Sequence, residues 1–186
     1  MIGYALCGSF CTLDRSLKQL EGLVKAKYDV LPIVSERVRF TDTRFGKSED
    51  ILKRITDICK KKIIDDIVGA EALGPSIKLD AMVISPCTGN TLAKIASGIT
   101  DSAVCMAAKA HLRADRPLII ALASNDAMSA NLKNIAELLS RKCVYFVPMH
   151  QDDPENKPHS LVADFDLLPS TLDYAMKGKQ IRRLFI

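Results

Sequence analysis

The stretch SPCTGNT, residues 85–91, sets hydroxyls, a thiol and an amide between two segments that both read as core, AMVI before it and LAKIASG after it. Three chemistries fit those groups: a thiol nucleophile at Cys87, a metal ligand at Cys87, or a loop that cradles a phosphate. A nucleophile needs a base within hydrogen-bond reach. Of the three histidines, His111 falls on the apolar face of a predicted helix, and His150 and His159 lie in a late polar loop. A thiolate at a helix N-terminus would still have a lowered pKa. A zinc site calls for paired Cys or His at short spacing, and here only Cys7 and Cys11 are close. The phosphate reading uses the hydroxyls, the amide and the free N–H groups of the helix that follows.

The same polarity recurs after other apolar runs. CGSFCT (residues 7–12) follows the first, Ser35-Glu36 the second, and SNDAMSAN (residues 124–131) a later one. In an open parallel sheet the ligand crevice lies outside the carboxyl ends of the strands, so these segments are the candidates to line it. Gly8 lets backbone approach a ligand, and Ser9, Phe10 and Thr12 share its loop. Ser35 closes the second strand; Ser85, Pro86, Cys87, Thr88, Asn90 and Thr91 form the central stretch, with Ser124 and Asn125 beyond. The ordinary alternative for any one of these loops is a capped helix after a buried strand. Neither a G-x-G-x-x-G fingerprint nor a Walker loop is present. Asp126 is the carboxylate at a strand end near the inferred crevice and thus the candidate base, with turn capping as its alternative. Arg37, Arg39 and Arg44 are candidates to meet carboxylates in bidentate fashion, against the reading of a solvated basic loop.

These residues need a scaffold, and the pattern supplies one. Short apolar runs at Ile2–Cys7, Val30–Ser35, Leu79–Ser85, Pro117–Ala123 and Val144–Val147 alternate with helix-period segments. That alternation predicts a doubly wound, mostly parallel α/β sheet. Leu13, Leu17, Leu20 and Val24 line one helical face, with Thr12 or Asp14 to cap it. Gly98 is placed to end the helix carrying Leu92 and Ile95, and Asp101 or Ser102 to cap the next. Residues 36–78 predict a short strand, a flap and a helix that breaks near Lys60; residues 149–186 read as a polar loop and a C-terminal arm.

Composition narrows the function. At 186 residues and 48% hydrophobic content the chain suits one domain. Net charge is +4, aromatics are 5% and Trp is absent, so no base-stacking platform for nucleic acid is expected. No apolar run reaches the roughly eighteen residues of a membrane span. With no basic leader at its start, the chain is expected to be cytoplasmic, with its six cysteines reduced.

SPCTGNT is similar to the P-A-S-A-N-T signature of the flavoprotein family that includes phosphopantothenoylcysteine decarboxylase, lantibiotic cysteine decarboxylases and flavin prenyltransferases. Pro86, Asn90 and Thr91 match outright, and Gly8, Ser9 and Ser35 match the family's other loops. The resemblance implies a Rossmann-like three-layer α/β/α fold, FMN held by these loops, and trimer-based homo-oligomers. GYALCGSFCT, SPCTGNTLAKIA and VPMHQDDPENKP further resemble one branch of the family. That branch implies a subunit from a sporulating bacterium's mother cell that oxidises a small cyclic dicarboxylate next to an NADP-binding, dehydrogenase-like partner. The alternatives are an independent FMN-dependent decarboxylase or prenyltransferase, and a non-catalytic assembly subunit. The chain departs from the decarboxylases in having no His before His111, and in keeping only Asn125 and Met128 of their P-x-M-N-x-x-M-W clamp.

Overall fold

The computed structural model describes residues 1–74 and 76–186. Strands β1 (Ile2–Leu6), β2 (Val30–Val34), β3 (Ala81–Cys87), β4 (Leu118–Ser124) and β5 (Val144–Phe146) are joined in parallel pairs. A short antiparallel hairpin, β6 (Met149–His150) and β7 (Leu161–Ala163), completes a seven-stranded sheet ordered β2-β1-β3-β4-β7-β6, with β5 also on β4. The edge of β4 is therefore divided: β5 pairs with Leu118–Ile120 and β7 with Ala123–Ser124.

Alternation along the strands builds a core on each face of the sheet. Ala5, Met82, Ile84, Ile120 and Leu122 point to one core, which α5 (Gly89–Ala96), α6 (Ala103–Leu112) and α7 (Leu132–Ser140) cover. Tyr4, Leu6, Val83, Ile119 and Ala121 point to the other, under α1 (Phe10–Lys25), α3 (Ser48–Cys59) and α8 (Leu168–Met176). The expected α/β/α layering follows. Two further short helices, α2 (Glu36–Phe40) and α4 (Ile67–Glu71), flank the edge strand β2. Pro32 sits in that edge strand, where a missing backbone donor is tolerated.

Several boundaries differ from expectation for identifiable reasons. Helix α1 starts at Phe10, with Ser9 rather than Thr12 or Asp14 at its cap position; Asp14 turns instead to Arg54 at 2.8 Å. The strand expected in 36–78 reduces, among the described residues, to isolated bridges, of which the one between Ile64 and Ile33 joins the sheet edge. Lys60, in the left-handed conformation at φ 53°, does end α3 there. Gly98 (φ 72°) follows α5, and the Ser102 side chain accepts from the Cys105 N–H to cap α6. The segment 149–186 is more than an arm, since it contributes β6, β7 and α8. At its end, the Gln180 amide mimics a strand against the edge of β5: its Oε1 accepts from Phe146 N–H (2.8 Å) and its Nε2 donates to Phe146 C=O (2.7 Å). The backbone of Leu184 and Ile186 pairs with Met149 in the same way.

One polar cluster is sealed inside. Tyr4 hydroxyl donates to the Ser16 carbonyl (2.9 Å), and Ser16 Oγ lies 3.0 Å from both Tyr4 hydroxyl and Ser85 Oγ. Burial pushes the Tyr4 phenol up to about 12, so it stays protonated. The cluster ties α1 to β1 and β3 through groups that have no access to water. Removing its central hydroxyl by Ser16→Ala is expected to lower unfolding stability by about 1–3 kcal/mol in chemical denaturation. A variant as stable as the parent would show that the cluster holds nothing together.

Candidate functional site

The parallel order β1-β3-β4 sends three strand ends to one rim of the sheet, and a cleft opens there. It has two chambers, of about 660 and about 490 Å3, which share Gly8, Phe10, Thr88 and Asn90. Each volume is in the range of small-molecule and cofactor sites.

The first chamber is lined by Ser9 and Thr12 from α1 and its cap, by Ser124, Asn125 and Asp126 beyond β4, and by Val162 of β7. The second is lined by Ser35, Thr91, Lys94 and Ser102, with Glu36 and Arg37 at the start of α2. The two chambers thus take in Gly8, Ser9, Phe10, Thr12, Ser35, Thr88, Asn90, Thr91, Ser124, Asn125 and Asp126 of the rim residues picked out above, together with Arg37 and Arg44.

Ser85, Pro86 and Cys87 do not line it. They lie within β3, where all side chains are buried. The Ser85 hydroxyl belongs to the Tyr4 cluster, and the Pro86 carbonyl accepts from Cys7 N–H at 3.1 Å, past an irregularity in the β3–β4 register. Cys87 is 0% exposed, with Sγ 3.6 Å from the Thr88 carbonyl, and burial pushes its thiol well above the ordinary value. Cys7, also buried, is pushed up to about 12 although Thr91 Oγ1 donates to its sulfur at 3.4 Å. Both thiols stay protonated and enclosed, which removes the nucleophile and accessible-ligand readings of Cys87. His111 is a core histidine, 2% exposed and bonded through Nε2 to the Pro117 carbonyl at 2.9 Å.

The phosphate-cradling reading fits what is left. Helix α5 begins at the cleft, with Thr88 Oγ1 accepting from Thr91 N–H (3.2 Å), so its positive end faces the rim. Asn90 is exposed on the first turn. Lys94, four residues on and so on the same helical face, also borders the second chamber, with its ammonium paired to Asp101 at 2.9 Å. Ser35 is 7% exposed, and its Oγ has no hydrogen-bond partner among the described residues. A buried unsatisfied hydroxyl is costly unless a ligand or water completes it. Here it lines the chamber that also holds Lys94 and Thr91.

Sequence reasoning missed Gly89, and the structure shows what its lack of a side chain does. A Cβ on Gly89 would lie 2.5 Å from Ser124 Oγ, 2.6 Å from Asn131 Nδ2 and 2.8 Å from Asp126 Oδ1. Those three form a clamp: Ser124 Oγ donates to Asp126, and Asn131 Nδ2 donates to both carboxylate oxygens at 3.0 Å. The β3–α5 and β4–α7 turns can approach only because the first residue of α5 has no Cβ. The Ser124 hydroxyl, then the Asn131 amide, hold the Asp126 carboxyl below its ordinary range against partial burial. Asp126 is therefore a clamp, and as a proton acceptor a weakened one. Lys94 was legible from its spacing to Asn90. Arg15 and Phe45 reach the first chamber from segments with no motif of their own, and Asp152 and Lys157 from the VPMHQDDPENKP loop.

Gly89→Ala is expected to force the clamp apart and cost about 1–3 kcal/mol of stability; unchanged thermal unfolding would contradict the packing described. Because the Asp126 pKa is lowered on folding, its contribution is present above the ordinary carboxylate value near 4 and fades as pH falls through the lowered one. Asp126→Asn should flatten that part of the acid limb in pH-dependent denaturation, and an identical acid limb would show the clamp to be energetically idle.

Known proteins share this fold. The chain matches the Flavoprotein family over residues 1–165. It is 44% identical over 185 residues to the B subunit of dipicolinate synthase from Bacillus subtilis (strain 168), covering 100% of this chain and 92% of that protein. It is also 30% identical over 136 residues to the flavin prenyltransferase UbiX of Archaeoglobus fulgidus, covering 72% of each. Among solved structures, the crystal structure of the dipicolinate synthase B subunit from Bacillus halodurans C superposes with a TM-score of 0.91 at 43% identity, covering 100% of this chain and 95% of that one. With the cleft at the strand ends and a family match running from β1 to the start of the last helical segment, the chain belongs to the flavoprotein family.

Proposed function

We propose that the chain acts as the B subunit of a dipicolinate synthase. Together with a dehydrogenase-like A subunit that binds NADP, it oxidises dihydrodipicolinate to dipicolinate in the cytoplasm of a sporulating mother cell. The observation that carries this reading is the open cleft, lined by hydroxyls, amides and several charged side chains, in a chain similar over its whole length to dipicolinate synthase B subunits. The reaction removes a hydride and a proton from a dihydropyridine ring that bears two carboxylates. A site for it must hold a flat, doubly anionic molecule and keep an electron acceptor close by.

The residues present fit FMN. The buried Ser35 hydroxyl, Thr91 and Lys94 would hold its phosphate, with the positive end of α5 behind them. Phe10, Asn90, Asn125 and Val162 would face its ring system. Bound FMN supplies a two-electron acceptor. Asp126 is the carboxylate of the first chamber that we assign to take the proton, at a basicity reduced by its own hydrogen bonds. Self-association into a trimer-based homo-oligomer belongs to the same proposal, and Phe40 and Val68, 68% and 80% exposed, are apolar side chains it would cover.

Dihydrodipicolinate oxidation measured with this chain, with its dehydrogenase-like partner and with both together tests the proposal. Turnover is expected only from the pair. Turnover by this chain in isolation would favour an independent FMN enzyme, and full turnover by the partner in isolation an assembly role. Asn90→Ala is expected to weaken FMN or substrate binding at least about tenfold while leaving the unfolding transition in place; unchanged affinity in titration would remove Asn90 from the site.

A further inference from the structure

The charged groups of the first chamber are Arg15, Arg44, Lys157, Asp126 and Asp152. Three of them are already engaged. Asp126 is bonded by Ser124 and Asn131. Asp152 accepts from Ser160 Oγ at 2.7 Å and pairs with Lys157 at 3.1 Å, which also uses the lysine's charge. Arg15 and Arg44 differ, since neither forms an ion pair among the described residues. Other arginines are committed elsewhere: Arg54 to Asp14 and Glu21, Arg39 to Asp65, Arg141 to Glu137.

Each free guanidinium nevertheless lies against an aromatic face, Arg15 against a buried ring and Arg44 against the half-exposed ring of its own neighbour. Arg15 Cζ sits 5.0 Å from the centroid of Phe165, a fully buried ring, and Arg44 Cζ sits 4.9 Å from that of Phe45. Stacking fixes the plane of a guanidinium and leaves its edge N–H groups free to bond an anion. The supports are independent. Arg15 projects from α1, whereas Arg44 and Phe45 form the tip of a tight turn closed by paired bonds between Thr43 and Gly46, at 3.0 and 3.1 Å. Asp42 anchors the base of that turn by accepting from the Ser48 N–H at 2.8 Å. Of the three arginines expected to meet carboxylates, Arg44 alone lies in this chamber; Arg37 lines the second chamber and Arg39 is paired to Asp65.

We propose that Arg15 and Arg44 are the two carboxylate anchors of a planar dicarboxylate, one from α1 and one from the Thr43–Gly46 turn, and that they set the specificity of the first chamber for two acid groups over one. The substrate class rests on the dipicolinate synthase reading, whereas the anchor assignment rests on the two unpaired, stacked guanidinium groups. Two anchors on separate elements distinguish a molecule with two carboxylates from one with a single acid, because the wrong ligand leaves the second arginine without its bidentate bond.

Titration calorimetry of the full chain with pyridine-2,6-dicarboxylate and with pyridine-2-carboxylate tests this. The dicarboxylate is expected to bind at least about tenfold more tightly, and Arg15→Gln and Arg44→Gln each to weaken it by about ten- to a hundredfold. Neither arginine lines the second chamber, to which the FMN phosphate is assigned, so both variants should retain FMN, with any change in its affinity smaller than the loss for the dicarboxylate. Arg44→Lys should recover only part of the loss, since a lysine lacks the planar fork. Failure of the parent chain to bind the dicarboxylate, or parental affinity in both Gln variants with their unfolding unchanged, overturns the assignment. If the paired proteins turn over dihydrodipicolinate with parental KM in both variants, the anchors are wrong and the enzyme reading stands. If the arginine-dependent binding is found and the pair shows no turnover, the anchors stand and the enzyme reading falls.

Discussion

The cleft depends on one contact that a single methyl group would prevent. Gly89 begins α5 directly under Ser124, Asp126 and Asn131, and the absence of its Cβ lets the turns after β3 and β4 close on each other. The parallel pairing of β3 with β4 brings the two turns to the same rim, but pairing alone leaves their distance open. Bonded to Ser124 and Asn131, the Asp126 carboxylate fixes the β4 turn, and Thr88 fixes the start of the helix. The floor of the first chamber is thus set by hydrogen bonds within each turn and by the close approach of the two turns at Gly89.

Above that floor the site separates two kinds of anion recognition. The second chamber offers hydroxyls and a helix end, with Lys94, Arg37 and Glu36 at its border, a set suited to a group whose charge is spread over several oxygens. The first offers stacked arginines, suited to planar acids. Gly8, Phe10, Thr88 and Asn90 border both, so a ligand in one chamber is within reach of a ligand in the other.

The sheet and most of the rim could be read from the chain because they rest on local patterns. The apolar runs of β1 to β4 were long enough to show, and hydroxyl-rich segments after them marked the carboxyl ends. The hairpin of β6 and β7 could not be read, having only two and three residues per strand, too few for alternation. SPCTGNT misled in its first half for a related reason. Polar letters suggest a loop, yet Ser85 to Cys87 continue β3 into the interior, where the Ser85 hydroxyl is satisfied by Ser16, sixty-nine residues away. Arg15 and Arg44 show the other limit. Which arginine is free is a property of where the acids of the fold happen to lie, and Arg39 looked equivalent to Arg44 until Asp65 was placed beside it.

The chain end carries a practical consequence. Gln180 closes the exposed side of β5 with its own amide, and Leu184 and Ile186 continue the backbone pairing beside Met149. Cutting the protein before these residues, or fusing a rigid carrier directly to Ile186, would uncover strand edges that readily recruit neighbouring polypeptide.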